Sequence, residues 1–410
     1  MEPRTRAGIT TVAAVVLFAL PLGAQTVWTG SWAAAPVAAN GPAAAAAAAV
    51  ADANGTVYRN IVHLSLGGKA LRLRLSNEFG TTSLAISSVH VALSAGAGTI
   101  RPETDHAVTF GGADSVVIPA GALAVSDAVE MPATAFADMA VSLLVLPQPG
   151  ATLTWHQLGM STNYMAPGKD GVRAMKLESA KTVTSWYLLK GVDVDAGPKA
   201  AAVVVLGASI SDGYRSTMDA NTRWPDDLAR RLHANPGTAK VGVLDEGISG
   251  NRLLHDGTGP SALARLDRDV LAQSGAKYVI ISLGTNDIGR TFFPMRPGET
   301  VTAEQLTWSL QQIALRAHAR GVRVYATTLN PFGGAAYYSA AGEQMRQTYN
   351  HFVKTSPAFD GFIDFDAATR DPAHPETLLP AFDSGDHLHP NDAGYKAMGE
   401  LVDLKLLTGD

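Results

Sequence analysis

The chain has 410 residues, of which 46% are hydrophobic and 17% charged, with a formal net charge of −5 and no cysteine. This length allows two or three domains with large hydrophobic cores. A mildly acidic chain without a basic run is not expected to bind nucleic acid. The absence of cysteine excludes thiol catalysis, disulfide bonds and thiolate metal sites.

The amino terminus has the pattern of an export signal. Arg4 and Arg6 precede an apolar run at 12–20 that is too short to span a bilayer comfortably, and small residues allow cleavage after Ala24. We therefore predict a signal peptide over 1–24 and a mature protein that is secreted or periplasmic, without stable membrane association. An uncleaved membrane anchor is the alternative for this segment.

Residues 26–196 have the pattern of a β-rich domain. Short runs of alternating apolar and polar residues are separated by glycine and proline turns, and they lie at 57–66, 71–77, 86–93, 115–118, 140–146 and 182–187. This spacing predicts an all-β sandwich or jelly-roll accessory domain. The alanine tract at 43–49 is of low complexity, and we expect a flexible or helical surface insertion there without a function.

A linker at 193–200 precedes a change to alternating strands and helices. The apolar runs that indicate strands lie at 202–206, 241–244, 278–283, 322–327 and 361–364. The helical patterns lie at 226–233, 262–274, 303–320, 341–355 and 391–407. This alternation predicts a three-layer α/β/α (flavodoxin-like) domain with a mainly parallel sheet over 199–410.

Polar residues stand at four predicted loops of this second domain. Ser209 follows its first strand, Gly250 lies after the second, Asn286 follows the third, and Asp386 and His389 lie near the carboxyl terminus. Loops at the carboxyl edge of a parallel sheet meet in one crevice. A serine nucleophile needs an imidazole base, a carboxylate that orients the imidazole, and donors for the oxyanion. We predict Ser209, His389 and Asp386 for the first three roles. The backbone N–H groups of Ser209 and Gly250 and the Asn286 side chain are the predicted oxyanion hole.

Other interpretations of these loops remain open. Asp383 is an alternative orienting acid, whereas His387 is expected to be a bystander because its spacing to the predicted acid disfavours pairing. Asp364 and Asp366 could suggest a metal site, but no histidine stands at ligand spacing, and we expect surface acids. An α/β-hydrolase arrangement is rejected because its nucleophile turn requires glycine where this chain has Ser211.

Several neighbours of these loops are candidates for lining a substrate cleft. Asn251, Arg252 and His255 follow Gly250, and residues 330–338 place aromatic side chains after a strand near the same edge. A solvated loop is the competing interpretation for the first three. Trp224 opens a predicted helix and is expected to pack into the core.

Four sequence blocks resemble those of the SGNH (GDSL-type) hydrolase superfamily: GASIS at 207–211, ISGN at 248–251, GTND at 284–287 and DHLHP at 386–390. They occur in the family's order and cover about 201–405. The segments WTGSW at 28–32, LRLRLSNEFG at 71–80 and HQ…STNY at 156–164 resemble the β-rich domain of a secreted bacterial subgroup. The resemblance implies a serine esterase that uses no cofactor or metal and removes acetyl groups from polysaccharide or oligosaccharide. A lipolytic or general short-chain esterase and a catalytically decayed carbohydrate-binding protein are the alternatives.

The chain departs from this family at one position beside the predicted nucleophile. The family usually has aspartate before the serine, and Ala208 stands there. Because that aspartate helps to tie the nucleophile loop to neighbouring donors, its replacement predicts reduced or redirected activity rather than none.

Overall fold

The structure is a computed structural model that describes residues 26–39, 41–148, 150–293 and 298–408. The signal peptide predicted over 1–24 lies outside the described residues. Within these ranges, no helix combines the length and apolar character needed to cross a membrane.

The first half of the chain forms antiparallel sheets, in agreement with its β-rich pattern. The strands are β1 Trp28–Ala33, β2 Val37–Ala38, β3 Thr56–His63, β4 Leu71–Ser76, β5 Leu84–Gly96, β6 Thr99–Ile100, β7 His106–Ala107, β8 Val116–Ile118, β9 Leu123–Val125, β10 Asp138–Val145, β11 Thr154–His156, β12 Asn163–Pro167, β13 Lys181–Val183, β14 Trp186–Tyr187 and β15 Leu189–Asp195. One sheet has the order β1-β15-β4-β9 and another β13-β12-β3-β10-β5-β6, with β7 and β8 also pairing with β5, while β14-β11-β2 forms a third.

Alternation along the strands places one face of each large sheet in a common core. Leu71, Leu73 and Leu75 of β4 are fully buried, and so are Met139 and Val141 of β10 in the other large sheet. Their spacing of two residues is the strand period, which points every second side chain to the same face. The alanine tract forms helix α1, Gly41–Ala48.

The second half contains a parallel sheet of the predicted kind. Its strands are β16 Ala201–Gly207, β17 Val241–Asp245, β18 Ala276–Ser282, β19 Arg323–Thr327 and β20 Gly361–Ile363. Their order in the sheet is β17-β16-β18-β19-β20, and all neighbouring pairs are parallel. Numbered within this domain, the order is 2-1-3-4-5, which is the flavodoxin-like arrangement with its switch point beside the first strand.

Helices cover both faces of this sheet, which gives three layers. They are α2 Ser209–Asp212, α3 Trp224–Ala234, α4 Ala262–Leu266, α5 Thr285–Phe292, α6 Ala303–His318, α7 Ala340–Thr355, α8 Phe365–Thr369 and α9 Asp392–Leu401. Trp224, Leu228 and Met398 bring α3 and α9 into the core on one face. Leu310 and Tyr349 bring α6 and α7 into the core on the other. Trp224 is completely buried, as expected.

Several predicted elements have different ends from those expected. The helix at 262–274 stops as an α-helix at Leu266 and continues as a π-helical turn over Asp267–Leu271. The helix at 391–407 ends at Leu401 and is followed by a 3₁₀ turn, Leu404–Leu407. The linker expected at 193–200 begins later, because β15 extends to Asp195 and pairs with β1 and β4.

The two halves pack closely through β1 and β17. A Cβ on Gly242 would lie 2.4 Å from the Gly30 carbonyl oxygen, so only glycine allows the strands to approach this far. Hydrogen bonds join the halves here, with the Gly30 N–H donating to the Ser274 carbonyl and the Val243 N–H donating to the Ser65 hydroxyl. The β-rich half is therefore a firmly docked neighbour of the parallel sheet.

Candidate active site

Ser209 lies at the carboxyl end of the central strand. The fully buried strand β16 ends at Gly207, and Ala208 adopts an extended conformation before the one-turn helix α2. This sharp change of direction leaves the Ser209 hydroxyl at the sheet edge, where its Oγ lies 2.8 Å from Nε2 of His389.

Asp386 orients the imidazole of His389 from the same loop. Its Oδ2 lies 2.9 Å from Nδ1 of His389, and its Oδ1 accepts the backbone N–H groups of Leu388 and His389. Since the carboxylate accepts at Nδ1, the proton belongs on that nitrogen and Nε2 is left to accept from the serine hydroxyl. The structure thus brings together the three side chains that the sequence assigned to the triad.

The alternative acid and the expected bystander histidine pair with each other. Asp383 Oδ2 lies 2.6 Å from Nδ1 of His387, whose backbone has a positive φ of 61°. The His387 side chain is 55% exposed. Asp383 is therefore placed against a different imidazole from the one beside Ser209.

The electrostatics of this group favour a neutral imidazole beside an ionised acid. Burial lowers the pKa of His389 below its ordinary value, and the Asp386 carboxylate only partly opposes this effect. Partial burial alone would raise the pKa of Asp386, but the hydrogen bonds from the His389 backbone and ring hold it well below its usual range. Tyr214 packs edge-on against the His389 ring, with ring centres 4.7 Å apart, and shields it from solvent.

The predicted oxyanion donors lie on loops that are tied together. We call residues 246–251 the Gly250 loop. The Asn286 side-chain amide donates to the Asn251 carbonyl oxygen of this loop at 3.0 Å. Gly250 has φ +81°, which favours glycine. Among the described residues, the backbone N–H groups of Ser209 and Gly250 have no protein acceptor, so both remain available to a ligand.

Buried polar side chains fix the geometry of these loops. Arg265 donates to the Gly207 carbonyl at the end of β16 and to the Asn251 side chain of the Gly250 loop. Asp287, next to Asn286, accepts the backbone N–H groups that follow this loop, and its own burial raises its pKa to about 6. The four sequence blocks therefore meet in one hydrogen-bonded assembly.

A cleft of about 770 Å³ lies between the two halves of the molecule beside this assembly. Its walls come from both halves, and they include Trp155, Gln157, Leu158, Thr184 and Ser185 of the β-rich half and Tyr214, Ser249, Gly250, Arg252, Arg290 and Glu299 of the other half. Arg252, one of the predicted cleft candidates, is held there by Glu299 at 2.7 Å.

A second, much smaller cavity adjoins Ser209 directly. It has a volume of about 20 Å³ and is lined by Ala208, Leu283, Asn286, Leu329 and Tyr337 among others. A cavity needs about 10–15 Å³ to admit one water molecule, so this space suits a methyl-sized group. Tyr337 belongs to the aromatic segment 330–338 that the sequence placed near this edge.

The acids considered for a metal site have structural partners instead. Asp364 accepts the N–H of Ala367 at the start of α8 and pairs with Lys354. Asp366 is buried, and it pairs with Arg346 at 2.6 Å, so the expectation of a surface acid is wrong for this residue. Its burial follows from the paired arginine, whose charge compensates the carboxylate. In the part of the chain that the structure describes, no cluster of three potential metal-ligating side chains occurs.

Sequence reasoning missed two residues next to the site. His156 of β11 reaches across to Asp212, the last residue of the helix that begins with Ser209, with Nε2 2.9 Å from Oδ1. The other oxygen of Asp212 accepts from Ser249 of the Gly250 loop. The only signal in the sequence was the position of His156 in the HQ…STNY segment.

A family model covers all four sequence blocks. The model of the GDSL-like lipase/acylhydrolase family matches residues 205–397. No curated protein matches the chain. Similar solved structures include an acetyl xylan esterase from Geobacillus stearothermophilus, with 22% identity, a TM-score of 0.40 and coverage of 51% of this chain and 94% of the other. A GDSL-like lipase from Bacteroides thetaiotaomicron has 20% identity, a TM-score of 0.37 and coverage of 51% and 89%. A lipolytic protein of the G-D-S-L family from Desulfitobacterium hafniense has 18% identity, a TM-score of 0.39 and coverage of 51% and 99%.

The matched segment starts within β16 and ends within α9, and it includes Ser209, Asn286, Asp386 and His389. The chain therefore carries, over residues 205–397, a domain of the GDSL-like lipase/acylhydrolase family, a family of acyl ester hydrolases.

Proposed function

We propose that this protein is a secreted serine esterase that deacetylates carbohydrate through an acyl-enzyme on Ser209. The observation that carries the proposal is the continuous hydrogen-bonded series from Ser209 Oγ through the His389 ring to the Asp386 carboxylate, with distances of 2.8 and 2.9 Å. Such a series lets a serine hydroxyl lose its proton as it attacks a carbonyl carbon.

Acylation follows from this arrangement. Nε2 of His389 accepts the Ser209 proton while Oγ bonds to the ester carbonyl carbon, and Asp386 stabilises the resulting imidazolium. The N–H groups of Ser209 and Gly250 and the Asn286 amide donate to the oxyanion. His389 then protonates the leaving alcohol as the C–O bond breaks.

Deacylation repeats these steps with water. His389 takes a proton from the water that attacks the acyl carbonyl, and it returns a proton to Ser209 Oγ when the acid leaves. The low pKa of Asp386 keeps the carboxylate ionised throughout, so it orients the ring without taking the proton.

The size of the cavity beside Ser209 supports an acetyl group as the acyl part. About 20 Å³ accommodates a methyl group, whereas a longer chain must displace Leu283 or Leu329, which are almost completely buried. A lipolytic enzyme needs a wide apolar groove at this point, whereas the wall of the larger cleft combines polar and apolar side chains.

The larger cleft supports a hydroxyl-rich alcohol as the other part of the ester. Gln157 and Thr184 present exposed polar side chains from the β-rich half, while the buried Arg252, paired with Glu299, belongs to the wall formed by the hydrolase half. Such donors and acceptors suit sugar hydroxyls, and the adjacent Tyr214 ring offers an apolar surface to a sugar face. We interpret residues 26–196 as a β-sandwich accessory domain that contributes one wall of this cleft.

Export is proposed from the amino-terminal pattern alone. The mature protein begins at Gln25 after removal of 1–24. Amino-terminal sequencing of protein recovered outside the cytoplasm tests this, and an intact Met1 terminus on a membrane-bound product would refute it.

The catalytic proposal is tested with acetyl, butyryl and octanoyl p-nitrophenyl esters and with acetate release from acetylated xylan. We expect preference for acetyl, and a fall in kcat/KM of at least about 10³-fold in Ser209→Ala. Ser87→Ala, a serine of β5 in the accessory half, is the matched control and keeps full activity. Preference for octanoyl would support the lipolytic alternative. Absence of turnover on every ester, with retained binding to glycan, would support the decayed binding protein.

A further inference from the structure

His156 is held in a pocket that accepts only its doubly protonated form. Nδ1 lies 2.8 Å from the Ala35 carbonyl oxygen, while Nε2 lies 3.0 Å from the Leu158 carbonyl oxygen and 2.9 Å from Oδ1 of Asp212. All three are acceptors, so both ring nitrogens carry protons. The side chains of His156 and Asp212 are each only 5% exposed. Burial alone would lower the pKa of His156, but the Asp212 carboxylate raises it to about 9, in agreement with this geometry.

Asp212 uses its second oxygen to hold the Gly250 loop. Oδ2 accepts the backbone N–H of Ser249 at 2.9 Å and the Ser249 hydroxyl at 2.7 Å. Ser249 immediately precedes Gly250, whose N–H is a proposed oxyanion donor. Asp212 also belongs to the single helical turn that starts at Ser209. The Asp212 carboxylate therefore links helix α2, which starts at Ser209, to the Gly250 loop.

We propose that His156 is a positioning residue through which the β-rich half holds the oxyanion donor of Gly250 in place. The proposal rests on the catalytic role of Ser209 given above. His156 fixes the rotation of the Asp212 carboxylate, and the carboxylate fixes Ser249. Without His156, Oδ1 loses its charged partner, and the carboxylate can turn or draw in water. An oxyanion donor displaced by even a fraction of an ångström loses much of its effect, because the donor must meet the charge that develops in the transition state.

Strand β11, which carries His156, also contributes to the wall of the larger cleft. Trp155, Gln157 and Leu158 line the cleft on either side of His156 in sequence. Strand β11 and the residues after it thus line the cleft proposed for the alcohol part of the substrate, and the same strand holds the Gly250 loop through His156. The hydrolase half is therefore expected to be catalytically incomplete without the β-rich half.

The test uses the full chain with His156→Ala, His156→Gln and the isosteric Asp212→Asn. His90→Ala is the matched control, since His90 of β5 forms a similar pair with Asp105 at 3.0 Å and neither residue lines the cleft or the small cavity. We expect kcat for p-nitrophenyl acetate to fall about 10- to 100-fold in His156→Ala and Asp212→Asn, with KM changed less than threefold. Glutamine restores one donor and recovers part of the loss. His90→Ala keeps the native kcat even where its melting temperature falls equally.

A double variant decides whether the effect passes through Asp212. If His156 acts through this carboxylate, then His156→Ala/Asp212→Asn is no slower than Asp212→Asn alone. Multiplicative losses would overturn the proposed route. A native kcat in His156→Ala at equal or lower stability would overturn the proposal itself.

Hydrogen exchange separates this proposal from the catalytic one, because it needs no turnover. We expect amides of the Gly250 loop to exchange faster in His156→Ala than in His90→Ala, with the rest of the parallel-sheet domain unchanged. Unchanged exchange of this loop would refute the positioning role, whether or not the protein hydrolyses esters. Full activity of Ser209→Ala would instead refute the catalytic role of the serine and leave the exchange result to stand alone.

Discussion

Enlarging the small cavity beside Ser209 should relax the preference for acetyl esters in a calculable way. Leu329 lines this cavity of about 20 Å³ and is 4% exposed. A butyryl group has two more methylenes than acetyl, and forcing extra methylenes into a packed site costs about 1–3 kcal/mol. The native protein should therefore favour acetyl about 5- to 150-fold in kcat/KM.

Leu329→Ala removes the wall that a longer acyl chain meets. Each buried methylene contributes about 0.8 kcal/mol, so accommodating two of them is worth about 1.6 kcal/mol, or a change of roughly 15-fold. We expect the butyryl-to-acetyl ratio of kcat/KM to rise by about this factor. The substitution also lowers the free energy of unfolding by about 2–5 kcal/mol, so assays are run well below the melting temperature.

The control for Leu329→Ala is Leu310→Ala. Leu310 is fully buried on α6 in the same core cluster, but it does not line the cavity. It should lose similar stability and leave the ratio of the two esters unchanged. An unchanged ratio in Leu329→Ala, or an equal change in both variants, would refute the assignment of this cavity to the acyl group.

Three further predictions concern the triad, its pH dependence and the interface. Asp386→Asn should lower kcat about 10³- to 10⁴-fold, because it favours the wrong tautomer of His389. Asp383→Asn should change kcat less than threefold, and an equal or larger loss in this variant would contradict the assignment of Asp386 as the orienting acid. Burial lowers the pKa of His389, and the base must be neutral to accept a proton, so kcat/KM should fall on acidification with a midpoint below 6.5. A midpoint above 6.5 would contradict the role of the buried His389 as the base. Lys190 is 1% exposed and pairs with two carboxylates, so Lys190→Met should lower the free energy of unfolding by about 3–5 kcal/mol in urea denaturation, whereas exposed Lys396→Met should lower it by at most about 1 kcal/mol.

The hydrophobic pattern predicted the parallel sheet because local sequence determines most of it. The strand expected at 202–206 is observed at Ala201–Gly207, and it is buried along its whole length, as a central parallel strand should be. The helix expected at 303–320 is observed at Ala303–His318, where Thr302 caps its first turn by accepting the N–H of Gln305. Caps and apolar periodicity are properties of neighbouring residues, so the sequence alone reveals them.

Features that depend on contacts between distant residues were not predictable in this way. The run at 182–187 looks like one strand, but its two ends pair with β12 and β11 and thus belong to different sheets. Asp366 looks like a surface acid until Arg346 is found beside it. The partner of a short strand or a buried charge is chosen by tertiary packing, which periodicity does not encode.

The alanine before the nucleophile illustrates the same limit. Its sequence position predicted reduced or redirected activity, because the family's aspartate is absent there. In the structure, the Ala208 side chain instead lines the small cavity beside Ser209. The Gly250 loop is tied by Asp212 through Ser249 and by Arg265 through the Asn251 side chain.

None of these hydrogen bonds involves the side chain at position 208. The replacement of the family's aspartate by Ala208 therefore does not by itself release the Gly250 loop. The methyl group of Ala208 adds an apolar side chain to a cavity that polar residues also line. The partner that orients Asp212 is His156, which lies 56 residues earlier in the other half of the molecule. The Gly250 loop is thus tied to the β-rich half by a histidine–aspartate pair across the interface. We therefore expect the consequence of Ala208 to depend on that interface rather than on the sequence block in which it occurs.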